Sequence, residues 1–131
     1  MDMTNTFVSD AEPSLSECRA VADILARVGD KWTVMVVGSL SSGPMRYNAI
    51  QRRIGGISQR MLTLTLKALE QDGLVTRTVF PTIPPRVDYE LTELGRSLLG
   101  PITTLFEWAR LHQDEMLTAR AKFQKNAAEK S

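Results

Sequence analysis

From Leu15 to Val28 the apolar residues Leu15, Cys18, Val21, Ala22, Ile24, Leu25 and Val28 recur every three or four positions, and Arg19, Asp23 and Arg27 fill the complementary arc. This spacing predicts an amphipathic helix, opened by a capping box of Ser14 and Glu17. Its apolar sector covers about half the helix, wide for an element that packs on a single neighbour. Asp30 is placed to cap a second helix, Lys31 to about Leu40, where Trp32, Met35, Val36 and Leu40 supply core bulk and Trp32 reads as a structural anchor. A third, short pattern from Arg46 to Ile54 sets Tyr47, Ile50 and Ile54 on one face. Gly55-Gly56 ends it, because glycine accepts the left-handed backbone of a tight exit, and Ile57 can then enter the core. Ser58 caps the next helix, whose apolar stripe is Met61, Leu62, Leu66 and Leu69.

After Asp72-Gly73 the period changes from helical to alternating. Leu74 to Phe80 is rich in β-branched residues, and Val87, Tyr89 and Leu91 alternate with Asp88 and Glu90, which predicts the two strands of a hairpin. The connection Pro81-Thr82-Ile83-Pro84-Pro85-Arg86 is too proline-rich to pair and should stand out as a stiff loop. Thr92 then caps a helix that contains Gly95, a weak point in propensity, and Pro101 suits a first turn or a kink. Ile102, Leu105, Phe106, Ala109, Met116 and Leu117 give a long amphipathic helix that runs into a tail rich in lysine and alanine.

The order of helix, glycine turn, helix and hairpin describes a mainly α fold with a small β-hairpin, a winged helix-turn-helix, flanked here by N- and C-terminal helices. The expected organisation is a flexible segment over 1–13, one domain over 14–122 and a flexible tail over 123–131. The first and last helices carry more apolar surface than so small a core requires, and are expected to form a homodimer interface. The alternative is that both only cover the back of the wing.

Net charge adds nothing, since 16 basic residues face 15 acidic ones, but its distribution does. Between Arg46 and Leu69 there are five bases (Arg46, Arg52, Arg53, Arg60 and Lys67) and no acid, whereas residues 1–45 hold six acids against three bases. A local basic surface is the footprint of an element that faces phosphate, or it is a solvated helix face. On a helical wheel Arg60, Thr63, Leu64, Lys67 and Gln71 lie opposite Leu62, Leu66 and Leu69. Ser58, Gln59, Arg60, Thr63 and Lys67 are therefore candidates for a major groove and its flanking phosphates. Arg60 suits guanine and Gln59 adenine, while Arg46 suits phosphate. Arg77 and Arg86, on or beside the stiff loop, are placed for phosphate or a minor groove, or else they solubilise the hairpin. Leu64 fits this face only against a thymine methyl, or if the helix is phased one residue differently.

The remaining composition excludes more than it suggests. One cysteine makes no internal disulfide, and with one histidine it builds no zinc site. His112 has no serine or cysteine motif to form a triad, and paired carboxylates or a phosphate loop are missing, so neither an enzyme nor a cofactor is expected. No apolar run approaches bilayer length, and MDMTNTFVSDAEP is polar and acidic, unlike a secretory signal; a cytoplasmic protein is expected.

The segments Val28-Gly29-Asp30-Lys31-Trp32-Thr33, Arg46-Tyr47, Gly56-Ile57-Ser58-Gln59-Arg60-Met61-Leu62, Leu69-Glu70-Gln71-Asp72-Gly73-Leu74-Val75, Pro84-Pro85-Arg86-Val87-Asp88-Tyr89 and Leu91-Thr92-Glu93-Leu94-Gly95 resemble the HxlR-type winged-helix transcriptional regulators. The resemblance spans roughly Cys18 to Leu99. It implies a bacterial, cytoplasmic, homodimeric regulator that binds double-stranded DNA, and the twofold symmetry of such a dimer makes its expected operator near-palindromic. Several members respond to oxidants or electrophiles through a cysteine in the first helix, and Cys18 occupies that position. By position alone Cys18 is an inert core thiol; the resemblance makes it a candidate redox sensor. A regulator gated by a non-covalent small molecule and a protein-interaction winged helix that never touches DNA are the other readings.

Overall fold

The computed structural model describes residues 12–130. Among them, six helices and three strands follow in the order α1 (Leu15–Val28), α2 (Lys31–Ser39), β1 (Met45–Arg46), α3 (Tyr47–Ile54), α4 (Gln59–Gln71), β2 (Val75–Phe80), β3 (Arg86–Leu91), α5 (Glu93–Ser97) and α6 (Leu99–Lys130). A 3-10 turn, Leu40–Ser42, follows α2. The strands form one antiparallel sheet in the order β1-β3-β2, with Met45 opposite Tyr89 and Arg77 also opposite Tyr89 from the other side.

The caps stand where the sequence placed them. Ser14 Oγ accepts from the Glu17 amide at 3.2 Å, and Asp30 accepts from the amides of Trp32 and Thr33 at 3.1 and 3.3 Å. Ser58 Oγ accepts from the Met61 amide at 3.0 Å. Each satisfies amides that a helix start leaves without a partner.

The core is built from Val36, Val37, Leu40, Ile50, Ile57, Leu62, Leu66, Leu69, Leu74, Val75 and Leu91, so α2, α3, α4 and the base of the wing share one apolar centre. Two expected core residues lie outside it: Met35 is 46% and Met61 38% exposed. On α2, Val37 occupies the interior instead. On α4 the buried residue is Thr65, which lies about 40° nearer the centre of the Leu62–Leu66–Leu69 stripe than Met61 does. Its hydroxyl donates to the Met61 carbonyl at 2.8 Å, which removes the penalty of burying it. Leu64 is half exposed on the opposite face, so the helix phase read from the sequence is correct.

Two further features differ from the sequence reading. Arg46 does not begin a helix; it lies in β1, beside Asp88 of β3, and is also the N-cap residue of α3. A two-residue strand has no period to recognise. The tail expected to be flexible from 123 onward continues as helix to Lys130, which makes α6 32 residues long, about 48 Å at helical rise. The flexible segment expected over 1–13 falls almost wholly outside the described residues.

Neither α1 nor α6 contains a buried residue. Only Val28 at the end of α1, and Leu99 and Ile102 at the start of α6, pack partly on the core. Leu15, Val21, Ile24 and Leu25 of α1 and Leu105, Phe106, Trp108, Leu111, Met116 and Leu117 of α6 are all about half exposed or more. Apart from Val28, Leu99 and Ile102, the apolar sectors that predicted both helices stay largely exposed among the described residues. An ion pair, Arg27 Nε to Asp72 Oδ2 at 3.1 Å, ties the end of α1 to the C-cap of α4. Both side chains are partly in water, so the pair contributes under about 1 kcal/mol.

Candidate nucleic-acid interface

The α3–α4 corner is set by two consecutive glycines in the left-handed region, Gly55 at φ 67° and Gly56 at φ 70°. A side chain at either would be strained, by about 1–2 kcal/mol. The turn lets Ile57 insert into the core and starts α4 at Ser58, with its apolar stripe inward and Gln59, Arg60, Thr63, Leu64 and Lys67 outward and exposed.

Tyr47 closes the same corner from the other side. Its hydroxyl lies 2.8 Å from the Gln59 carbonyl oxygen and 3.0 Å from Thr63 Oγ1, which joins the first turn of α3 to the first turn of α4. Gln51 Nε2 adds a longer contact, 3.5 Å, to the Ile57 carbonyl. Periodicity alone makes Tyr47 no more than a member of an apolar stripe. Tyrosine in place of phenylalanine is the available signal, because a phenol at a helix crossing needs a polar partner.

Three ion pairs form among the described residues: Arg27–Asp72, Arg86–Asp88 and, within α6, Arg110 Nη2 to Glu107 Oε2 at 2.8 Å. Arg46, Arg52, Arg53, Arg60, Lys67 and Arg77 belong to none of the three and are all exposed. None of the six is neutralised by an ion pair among the described residues, which leaves their charge available for an attractive field toward phosphate.

The two wing arginines differ. Arg86 is the first residue of β3, half-buried, with its guanidinium 4.2 Å from the centre of the Phe80 ring. Its Nε is 3.4 Å from Asp88 Oδ1, close enough for an ion pair but not aligned as a hydrogen bond. The pairing of Arg77 with Tyr89 and of Arg86 with Phe80, together with strand alternation, puts the two arginines on opposite faces of the hairpin. They do not form a joint patch. Arg77 is in none of the ion pairs among the described residues, whereas Arg86 is held by Asp88 and Phe80 at the base of the loop. That loop presents Ile83 fully to solvent, and with Arg46, Tyr47 and Asn48 it borders an open cleft of about 610 Å³ between the wing and the start of α3.

Cys18 lies on the exposed side of α1, not in the core. His112 sits on α6 with Nδ1 2.8 Å from the Trp108 carbonyl and its ring stacked on Trp108 at 4.5 Å, a local helix contact. No group of three or more potential metal-ligating side chains occurs among the described residues.

A profile of the HxlR-like helix-turn-helix family matches residues 27–117, from the end of α1 into α6. The chain belongs to that family. Over 98 residues it is 38% identical to the HTH-type transcriptional regulator YtfH of Escherichia coli, itself uncharacterized, covering 75% of this chain and 78% of that one. The solved structure of the ytfH regulator from Salmonella typhimurium superposes with a TM-score of 0.71 at 35% identity, over 77% of this chain and 90% of that one. The redox regulator HypR is similar in both of its solved states. Its reduced form gives a TM-score of 0.70 at 37% identity, over 76% and 98% of the two chains, and its oxidized form 0.65 at 40%, over 70% and 94%. The protein is a transcriptional regulator with a winged-helix fold, and its relatives are regulators rather than enzymes. No helix among the described residues is long and apolar enough to cross a membrane.

Proposed function

We propose that this regulator binds double-stranded DNA in a sequence-specific way, as a homodimer on a near-palindromic operator. The observation that carries this reading is the outward face of α4, where Arg60 and Lys67 stand exposed and outside every ion pair, beside Ser58, Gln59 and Thr63, with Arg46 next to them on β1. Ser58 Oγ accepts from the Met61 amide of its own helix and keeps its hydroxyl proton for phosphate. Arg60 is the guanine reader, Gln59 an adenine reader, and Arg46, Lys67 and Arg77 hold phosphates. Arg86 acts through the shape of the wing.

Selection from random duplex DNA is the test. It should return a sequence with twofold symmetry and half-sites about one helical turn apart. Binding to that sequence should weaken as salt rises, with a slope of roughly 0.9 per phosphate neutralised. Arg60→Ala should relax one position in each half-site at a cost of about 1–3 kcal/mol, while Lys67→Ala should weaken all sequences alike. Failure to enrich any sequence would remove DNA reading and favour a protein partner.

A regulatory role for Cys18 is favoured by its exposure on α1, in an apolar sector with no buried residue, and by similarity to a redox regulator. In this reading an external oxidant or electrophile modifies the thiol at the dimer interface and changes the separation of the two recognition helices. Cys18→Ser should then keep operator binding under diamide or a quinone at concentrations that release the parent protein. Equal loss in both proteins would exclude the thiol as the sensor.

A further inference from the structure

The contact between Tyr47 and Thr63 has a proton count, and that count limits what Thr63 can offer a base. The Tyr47 hydroxyl is 2.8 Å from the Gln59 carbonyl oxygen, which can only accept, so the single phenolic proton goes there. The 3.0 Å contact between Tyr47 and Thr63 then requires the other proton, and Thr63 is its donor. Thr63 is exposed on the outward face of α4, yet toward a ligand it retains only lone-pair capacity and its methyl group.

We propose that Tyr47 is a positioning residue for base recognition: by taking the Thr63 proton it makes Thr63 a reader of hydrogen-bond donors. In the major groove the donors are the N6 amino group of adenine and the N4 amino group of cytosine. Guanine presents N7 and O6 there, both acceptors, and is refused. Phosphate oxygens are acceptors too, so Thr63 held in this way reads a base and does not grip the backbone. The inference rests on the assignment of α4 as the DNA-contacting helix, and its test separates the two.

Random-duplex selection is run on the full-length parent protein, Tyr47→Phe, Thr63→Val and the double variant. The parent should show one half-site position rich in adenine or cytosine and poor in guanine, and Thr63→Val should flatten that position alone. Tyr47→Phe frees the Thr63 proton to turn outward, and guanine at that position should rise about tenfold relative to the parent, the worth of roughly one hydrogen bond. The double variant should match Thr63→Val, because Tyr47 acts only through the hydroxyl. Uniform weakening of every position by Tyr47→Phe would mark a merely structural contact and overturn the proposal, as would a Thr63→Val profile identical to the parent's. Thr63→Val preserves the bond between Tyr47 and Gln59, so it keeps the proposal open to refutation even if Tyr47→Phe does not fold. A parent protein that enriches no sequence overturns the DNA reading itself, a different result from a parent site that the variants leave unchanged.

Discussion

Gly95→Ala is expected to destabilise the protein by about 3 kcal/mol, although helix propensity alone predicts a gain of about 1 kcal/mol for this exchange. Gly95 is buried in α5, where a methyl group would overlap the carbonyl oxygen of Leu74 and come within 3.1 Å of Leu91 Cδ2. The Leu74 carbonyl cannot swing aside cheaply, because it accepts the Thr92 amide at 3.0 Å. Thr92 is in turn fixed: its hydroxyl donates to the Gly73 carbonyl at 2.7 Å and accepts from the Gly95 amide at 3.1 Å. Relief of the overlap must therefore break the lock between the start of β2 and α5. The measurement is the urea midpoint of the variant against the parent. A midpoint that is unchanged or higher would show that α5 can move away from the wing and that the packing is not obligatory.

Periodic features of the chain are legible in its sequence, and singular ones are not. The stripes of α1, α4 and α6, the alternation of β2 and β3, and the caps at Ser14, Asp30, Ser58 and Thr92 each follow from a local rule that needs no knowledge of the neighbour. Gly95 reads only as weak, since the carbonyl that demands it belongs to Leu74, 21 positions earlier and across a turn. β1 is invisible because it exists only as an addition to β3. The candidate site shows the same division. The outward residues of α4 follow from helical phase, but the state of each polar group depends on contacts across the corner: Thr63 is tied by Tyr47, and Arg86 by Asp88 and Phe80. Residue type identifies the candidates, and tertiary contact decides what each has left to offer.

On the proposed homodimer, Leu25→Glu is expected to make the protein monomeric and to weaken operator binding by about 100-fold or more, the effect of losing simultaneous engagement of two half-sites. Leu25 is 61% exposed and lies seven residues beyond Cys18, so the two side chains are only about 20° apart on α1. A charge there costs little in the isolated chain, where water already surrounds the side chain, but it is expensive in an apolar interface between two copies. The variant should therefore keep the circular dichroism of the parent while its sedimentation changes from dimer to monomer. Affinity for a duplex that carries one half-site should stay close to the parent's, and only the gain from the second half-site should vanish. A dimer that survives Leu25→Glu would move the interface off this face of α1, and the exposed thiol of Cys18 would then have no route to the spacing of the two recognition helices.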